Sequence, residues 1–169
     1  IHMEVGQPGT PAPAAARAAL AQQMQDDALG YTVALGLPEL RARIARLYGD
    51  WYNLDLDPRR VVVTPGSSGG FILAFTALFD AGEKVALGAP GYPSYRAILK
   101  ALDLVPLEVQ TTAENRLQPV PQDLEGHDFQ GLMVASPANP TGTMLDRAAL
   151  AALIDCAQAK GAAFLSDEI

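Results

Sequence analysis

The segment Thr64–Gly70, which reads Thr-Pro-Gly-Ser-Ser-Gly-Gly, could bind a phosphate group. It follows the β-branched run Val61–Val63, and a helix beginning after it would direct unpaired N–H groups and a positive dipole end toward one point. It is not a P-loop, because no Gly-Lys-Ser/Thr follows. The small residues and the two serine hydroxyls could therefore bind a phosphate, or a serine could only cap the helix without any ligand.

Two further segments place a candidate binding residue just after a predicted strand. Tyr92 lies in a Gly/Pro loop after Lys84–Leu87, where its ring could stack on a planar ligand or only pack the loop against the domain. Asn139 lies in Ser136–Gly142, which follows the apolar run Gly131–Ala135. Its amide could donate a hydrogen bond to a ligand oxygen, or it could be a turn residue bonded to its own backbone.

A fourth segment adds negative charge, because Asp167 and Glu168 follow the apolar run Ala162–Leu165. A carboxylate at the mouth of a hydrophobic strand is unfavourable unless a cation or several donors accompany it, although both residues could also be solvated loop residues. Together the four segments offer phosphate donors, a stacking ring, an amide donor and an anion. Pyridoxal phosphate suits such a set. Its phosphate would bind at the helix start, its ring would stack on the aromatic side chain and its phenolic oxygen would accept from the amide. Its ring nitrogen would pair with the anion, so that it stays protonated and acts as an electron sink.

The elements that must position these residues alternate between strand and helix. Predicted strands are Val61–Val63, Lys84–Leu87, Leu104–Val109, Gly131–Ala135 and Ala162–Leu165. Helices are predicted over residues 14–28, from Pro38 onward, and over residues 69–79, 94–102 and 148–159. Repeated strand–helix units with apolar strands favour an α/β fold whose mostly parallel sheet is covered on both faces. Ligands of such sheets bind beyond the carboxyl ends of the strands, where the four segments lie.

The composition excludes several classes of function. A net charge of −7 argues against a nucleic-acid partner, and no apolar run approaches the roughly 20 residues of a membrane-spanning helix. Cys156 is the only cysteine and His2 and His127 are the only histidines, so we expect neither an internal disulfide nor a metal site. We expect a cytoplasmic protein that binds no membrane.

The sequence resembles the class I/II aminotransferases of the aspartate aminotransferase superfamily, which are fold-type I pyridoxal-phosphate enzymes. Ser136–Gly142 resembles the family's Asn-Pro-Thr-Gly motif, and Ser166–Ile169 resembles its Ser-Asp-Glu-Ile segment. Weaker similarities are found at Gly6–Pro8, Tyr31, Gly36, Pro38–Arg41 and Thr64–Ser68. The resemblance implies a three-layer αβα sandwich of the pyridoxal-phosphate-dependent transferase type, incomplete because its C-terminal part is absent.

The resemblance also implies roles for the candidate residues. Asp167 would pair with the pyridine nitrogen of pyridoxal phosphate, Asn139 would donate to its phenolic oxygen, and Tyr92 would stack on its ring. The phosphate would be held by Gly66, Ser67 and Ser68. Tyr31 resembles a tyrosine that reaches the phosphate of the partner subunit, which implies a homodimer, and Gly6 resembles a glycine whose loop borders the substrate carboxylate.

The implied domain organisation is that of the front part of such an enzyme. Residues 1–39 would form an N-terminal arm and a segment of the small domain, and residues 40–169 the first part of the large cofactor-binding domain. The Schiff-base lysine is expected beyond Ile169, because Lys84, Lys100 and Lys160 are better interpreted as solvated surface charges. We therefore expect no catalytic residue in this chain and no activity of the chain alone.

The implied reaction moves an amino group from an amino acid to a 2-oxo acid. One alternative is another enzyme of the same fold type, such as a β-lyase or a decarboxylase. A second is the aminotransferase-like sensor domain of a transcription regulator, which would carry a DNA-binding helix-turn-helix upstream. A third is an α/β binding domain without pyridoxal chemistry.

Overall fold

The structure of the protein is a computed structural model that describes residues 9–169. The chain divides into two compact units, residues 1–63 and residues 64–169. Gly6, which was expected to border the substrate carboxylate, lies outside the described residues. The domain boundary expected between residues 39 and 40 stays a prediction.

The described part of the first unit, residues 9–63, contains two helices, α1 (Ala14–Asp26) and α2 (Pro38–Tyr52), and a 3-10 turn at Pro58–Arg60. The Ala-rich α1 buries none of its residues. α2 begins with a proline, whose missing N–H removes no helical hydrogen bond at that position, and it ends at Asn53 in the left-handed conformation with φ 52°. Both predicted helices are confirmed, with α1 ending at Asp26 instead of at residue 28.

The run Val61–Val63 is not a strand of the sheet, so this prediction is wrong. The Arg41 guanidinium donates to the carbonyl of Val61 at 2.8 Å. The N–H of Val63 donates at 3.0 Å to the carbonyl of Leu35, in the loop before α2. Because these backbone groups are bonded to a side chain and to a loop, they are not free to form a ladder. Gly36, at φ 100°, permits the close approach, since a Cβ there would lie 2.5 Å from the Val63 side chain.

The second unit contains a four-stranded sheet and three helices. Its helices are α3 (Gly66–Leu78), α4 (Pro93–Ala101) and α5 (Arg147–Ala159), its strands are β1 (Lys84–Ala89), β2 (Val105–Gln110), β3 (Gly131–Ala135) and β4 (Ala163–Asp167), and a 3-10 turn spans Pro121–Leu124. All strands are parallel, in the order β2-β1-β3-β4, which confirms the predicted α/β class and parallel sheet. Within residues 9–169, no helix is long and apolar enough to cross a membrane.

Two boundaries differ from the prediction in a way that matters for the site. α3 begins at Gly66 instead of at residue 69, so that Ser67 and Ser68 lie in its first turn and not in a loop before it. β4 continues to Asp167, so the candidate carboxylate is the last residue of a strand. Both candidate groups are therefore fixed by regular structure.

Helices cover both faces of the sheet because its two crossovers run in opposite directions. The β1–α4–β2 connection moves to one edge and the β3–α5–β4 connection to the other, and right-handed connections then place the two helices on opposite faces. Phe75 of α3 and Leu99 of α4 form one apolar cluster with Val85. Leu153 of α5 belongs to a second cluster with Leu132. The predicted three-layer αβα sandwich is confirmed.

The chain reverses its direction across the sheet between the neighbouring strands β1 and β3. The loop after β1 leads to the helix on one face, and the loop after β3 leads toward the helix on the other. The two loops diverge, and a crevice opens between them at the carboxyl ends of the strands. Open parallel sheets bind ligands at such a point.

Candidate functional site

The carboxylate of Asp167 is held at the carboxyl edge of the sheet by a hydrogen bond from Tyr95. Asp167 pairs with Ala135 in the β3–β4 ladder, and the Tyr95 hydroxyl donates to its Oδ2 at 2.5 Å. Tyr95 lies in the first turn of α4 and is 5% exposed. The sequence indicated that a carboxylate here needs a partner, and the partner is a neutral phenol instead of a cation.

The phenol of Tyr95 stays protonated and can therefore keep donating its hydrogen bond. Burial raises the pKa of Tyr95 above its usual range, and the hydrogen bond to Asp167 raises this pKa further. The hydroxyl therefore keeps its proton at neutral pH and continues to donate. A neutral donor orients a carboxylate without cancelling its charge, so the site keeps a negative charge that a cationic ligand atom can meet.

Tyr92 packs against this pair instead of standing alone. It directly precedes α4, and its ring meets the ring of Tyr95 edge-on, with centroids 5.4 Å apart and an interplanar angle of 80°. Phe71 of α3 meets Tyr95 in the same way, at 5.2 Å and 86°. Sequence reasoning missed Tyr95 as a functional residue. The available signal was its spacing of three residues from Tyr92 at a helix start, which places both side chains on neighbouring positions of one face.

The loop that carries Asn139 is closed by its own backbone. The N–H of Ala138 donates to the carbonyl of Thr143 at 2.9 Å, and the N–H of Gly142 donates to the carbonyl of Ala138 at 2.7 Å. The N–H of Ser136 donates to the carbonyl of Asp167 at 2.9 Å, which ties the start of the loop to the end of β4. Among residues 9–169 the side chain of Asn139 has no hydrogen-bond partner, so the alternative in which it bonds to its own backbone is not what the structure has.

The start of α3 offers uncapped N–H groups. Its N-cap position is occupied by Pro65, and no side chain among the described residues caps the helix. The serine cap considered as an alternative for Ser67 and Ser68 is therefore not present. Both serines are exposed, and Gly66, at φ 77°, donates its N–H to the carbonyl of Thr64 at 2.8 Å. The remaining first-turn N–H groups have no helical acceptor and can meet an anion.

The crevice between β1 and β3 brings two of these residues, Tyr95 and Asn139, together. A cavity of about 30 Å³ between the two loops is lined by Tyr95, Asn139 and Gln118, among others. A second hollow of about 180 Å³, which is also bordered by the Gly88–Gly91 loop, is lined by Tyr92 and Tyr95. Tyr95 thus borders both spaces and bonds to Asp167 as well.

Other predicted site residues are not brought to this cluster. Ser67 and Ser68 line neither space, although α3 reaches Tyr95 through Phe71. Tyr31 belongs to the first unit, where its side chain is fully exposed. Its predicted contact with a partner subunit stays a prediction.

None of the three lysines lies at the carboxyl edge. Lys84 begins β1, and therefore stands at the opposite edge of the sheet. Lys100 lies in the last turn of α4, and Lys160 follows α5, so both precede the start of a strand. All three are exposed, as predicted, and Lys160 also donates to the carbonyl of His127 at 2.9 Å.

Comparison with known proteins shows one family. The model of the family described as aminotransferase class I and II matches residues 1–169. The valine–pyruvate aminotransferase of Mycobacterium tuberculosis is 46% identical over 171 residues, which cover 100% of this chain and 44% of that protein. The chain therefore spans less than half the length of this relative.

Solved structures give the same result. The crystal structure of an aminotransferase from Mycobacterium tuberculosis is 47% identical with a TM-score of 0.94, and the match covers 98% of this chain and 43% of that one. The crystal structure of an aminotransferase candidate from Silicibacter pomeroyi is 67% identical with a TM-score of 0.90, and the match covers 100% of this chain and 43% of that one.

We expect Tyr95→Phe to destabilise the protein in a pH-dependent manner. The variant leaves Asp167 without its donor, which should lower the free energy of unfolding by about 1.5–3 kcal/mol at neutral pH. A raised pKa in the folded state means that this contribution is complete below the pKa of an unfolded tyrosine, about 10, and is lost as the pH rises beyond it. Urea unfolding from pH 7 to pH 11 should show the gap to the parent protein narrowing above about pH 10.

The control for this experiment is Tyr52→Phe, which removes a hydroxyl from an exposed side chain. It should match the parent protein at neutral pH. A Tyr95→Phe variant as stable as the parent, or a gap that does not change with pH, would contradict the account of this hydrogen bond.

Proposed function

Because this chain belongs to the family of class I and II aminotransferases, we propose that it binds pyridoxal phosphate at the carboxyl edge of its sheet and forms part of an enzyme that transfers an amino group from an amino acid to a 2-oxo acid. The observation that carries the proposal is the Asp167 carboxylate, held by the neutral hydroxyl of Tyr95 at the end of β4. A charge positioned in this way suits a protonated ring nitrogen.

Residues at the carboxyl edge of the sheet match the chemical groups of pyridoxal phosphate. When bound, this cofactor supplies an electron-withdrawing ring that stabilises negative charge on the amino acid. Asp167 uses Oδ2 to accept from Tyr95, and its other oxygen is left to accept from the ring nitrogen. Asn139 brings an amide donor for the phenolic oxygen, and Tyr92 brings an aromatic face for the ring.

The phosphate would lie at the start of α3. The first-turn N–H groups there and the hydroxyls of Ser67 and Ser68 can donate hydrogen bonds to an anion. The helix dipole adds a positive potential at the same point. Local donors matter because the chain as a whole carries a net charge of −7 and therefore repels anions at long range. Gly66 provides the turn that leads into this helix.

The finer parts of the proposal concern substrates and assembly. The 46% identity to a valine–pyruvate aminotransferase makes valine and pyruvate the substrates to test first. We also propose a homodimer in which Tyr31 reaches the phosphate of the partner subunit, and a role for Gly6 beside the substrate carboxylate. The aminotransferase relatives favour amino transfer over a β-lyase, a decarboxylase or a regulator's sensor domain.

We further propose that these 169 residues do not complete the transfer alone. The reaction needs an amine at the site that can bond covalently to the cofactor and relay a proton. The three lysines lie away from the carboxyl edge, so none is in place for either task. The residues of this chain bind and orient the reacting groups, and the amine must come from elsewhere in the protein.

Substitution of Asp167 by Asn tests the proposed cofactor site. The probe is pyridoxamine phosphate, which has the same ring and phosphate as pyridoxal phosphate but no aldehyde, so that surface lysines cannot react with it. Loss of a charge-assisted hydrogen bond, about 1.5–3 kcal/mol, should weaken binding roughly ten- to hundredfold in calorimetric titrations. Glu168→Gln, which removes the neighbouring negative charge, is the matched control and should keep most of the parent affinity.

An Asp167→Asn variant that binds pyridoxamine phosphate as tightly as the parent would overturn the proposed site. Equal weakening by Asp167→Asn and Glu168→Gln would show that only the overall charge matters, and would overturn the assigned role of Asp167.

The purified 169-residue chain is expected to produce alanine from valine and pyruvate no faster than free pyridoxal phosphate does. The reason is the absence of a lysine at the carboxyl edge of the sheet. Alanine is measured by mass spectrometry after incubation with both substrates and added cofactor, with the heat-denatured chain as a second control. A rate well above that of the free cofactor refutes the proposed need for a further amine.

A further inference from the structure

We propose that Gln118 is a positioning residue that holds the loop between β3 and α5, residues 136–146, in the conformation needed to bind the cofactor. This loop carries Asn139 and is called the Asn139 loop below. This inference rests on the proposed function, because it assigns Gln118 a role through Asn139. Gln118 is a buried polar residue, 4% exposed, in the segment between β2 and the 3-10 turn at Pro121–Leu124. A buried amide is unfavourable unless it is hydrogen-bonded, so its partners show what it stabilises.

The side-chain amide of Gln118 joins the two ends of the loop that carries Asn139. Its Nε2 lies 3.1 Å from the carbonyl oxygen of Ala135, the last residue of β3. The same nitrogen lies 3.0 Å from the carbonyl oxygen and 3.3 Å from the hydroxyl of Thr143, where the loop closes. One amide group therefore bridges the start and the end of the loop.

The Asn139 loop has few backbone donors of its own near Asn139. Pro137 and Pro140 flank Ala138 and Asn139 and have no N–H to donate. Within the loop, Ala138 bonds to Thr143 and Gly142, and the Ser136 hydroxyl accepts from the N–H of Leu145 at 2.9 Å, while the N–H of Ser136 ties the start of the loop to the end of β4. Gln118 supplies a link to β3, and it lines the same small cavity as Asn139.

Gln118 is itself held in place by its own segment. Its N–H donates to the carbonyl of Asn115 at 3.0 Å, and the N–H of Leu117 donates to the carbonyl of Thr112 at 2.8 Å. Arg116 and Leu117 both have positive φ, 56° and 57°, which is uncommon for residues other than glycine. A segment that keeps this backbone conformation holds the following side chain in one direction.

The test uses Gln118→Met, which keeps the length of the side chain and removes its N–H groups. The affinity for pyridoxamine phosphate should fall roughly two- to tenfold, as expected when the hydrogen bond from Asn139 to the ligand is weakened or lost. Amide hydrogen exchange measured by mass spectrometry should become faster in residues 136–145, with or without the ligand. The purified chain is used throughout, and circular dichroism confirms that each variant is folded.

The matched control is Gln130→Met at the opposite edge of the sheet. Gln130 accepts a hydrogen bond from the N–H of Lys84 at 3.0 Å, so the same substitution removes a side-chain bond to the backbone far from the crevice. This variant should bind pyridoxamine phosphate as the parent does. If it weakens binding as much as Gln118→Met, the effect is general destabilisation and the proposal is overturned.

A double-mutant cycle with Asn139→Ala decides whether Gln118 acts through Asn139. We expect Gln118→Met to have little further effect on affinity in the Asn139→Ala background, because the group it positions is gone. An equal effect in both backgrounds, or no effect of Gln118→Met alone, overturns the inference.

Failure of the proposed function is recognised separately. If the Asp167→Asn variant binds pyridoxamine phosphate as tightly as the parent does, the proposed function fails, whatever the result for Gln118. If Gln118→Met does not fold, Gln118→Asn, whose shorter amide cannot reach both ends of the loop, takes its place in the cycle.

Discussion

The hydrogen bond between the Tyr95 hydroxyl and the Asp167 carboxylate is the interaction on which the site depends. It joins α4, which follows β1, to the end of β4, and so connects elements from both sides of the crevice. The donor is neutral and buried, so it fixes the carboxylate without cancelling its charge. An arginine in this place would have stabilised the carboxylate and also neutralised it, leaving less reason for a cationic ring nitrogen to bind.

The order of the strands determines which loops surround this charge. Because the chain reverses direction between β1 and β3, the loops carrying Tyr92 and Asn139 diverge around a shared space at the carboxyl edge. Tyr95 packs against Tyr92 and Phe71, so that α3 also contacts this cluster, although its uncapped first turn does not. The fold thus carries an anion at the end of β4, an amide in the loop after β3 and free N–H groups at the start of α3, and apolar clusters pack both faces of the sheet.

The sequence predicted the features that depend on local pattern. Buried parallel strands show as apolar runs, and the bounds of Gly131–Ala135 agree with the structure. Val61–Val63 has the same local pattern and is not a strand of the sheet, because its backbone bonds to Arg41 and Leu35. These partners are distant in sequence, so the local pattern does not reveal them. Tyr95 and Gln118 escaped notice for a similar reason, since their roles depend on partners 72 residues away in one case and 17 and 25 in the other.

A crystal structure of the protein with pyridoxamine phosphate tests the central claim most directly. The account predicts that the ring nitrogen lies about 3 Å from a carboxylate oxygen of Asp167, within hydrogen-bonding distance. It also predicts that the phosphate lies on the first turn of α3 and that the Asn139 amide faces the phenolic oxygen. A ring bound elsewhere, or bound in the crevice with its nitrogen turned away from Asp167, would contradict it.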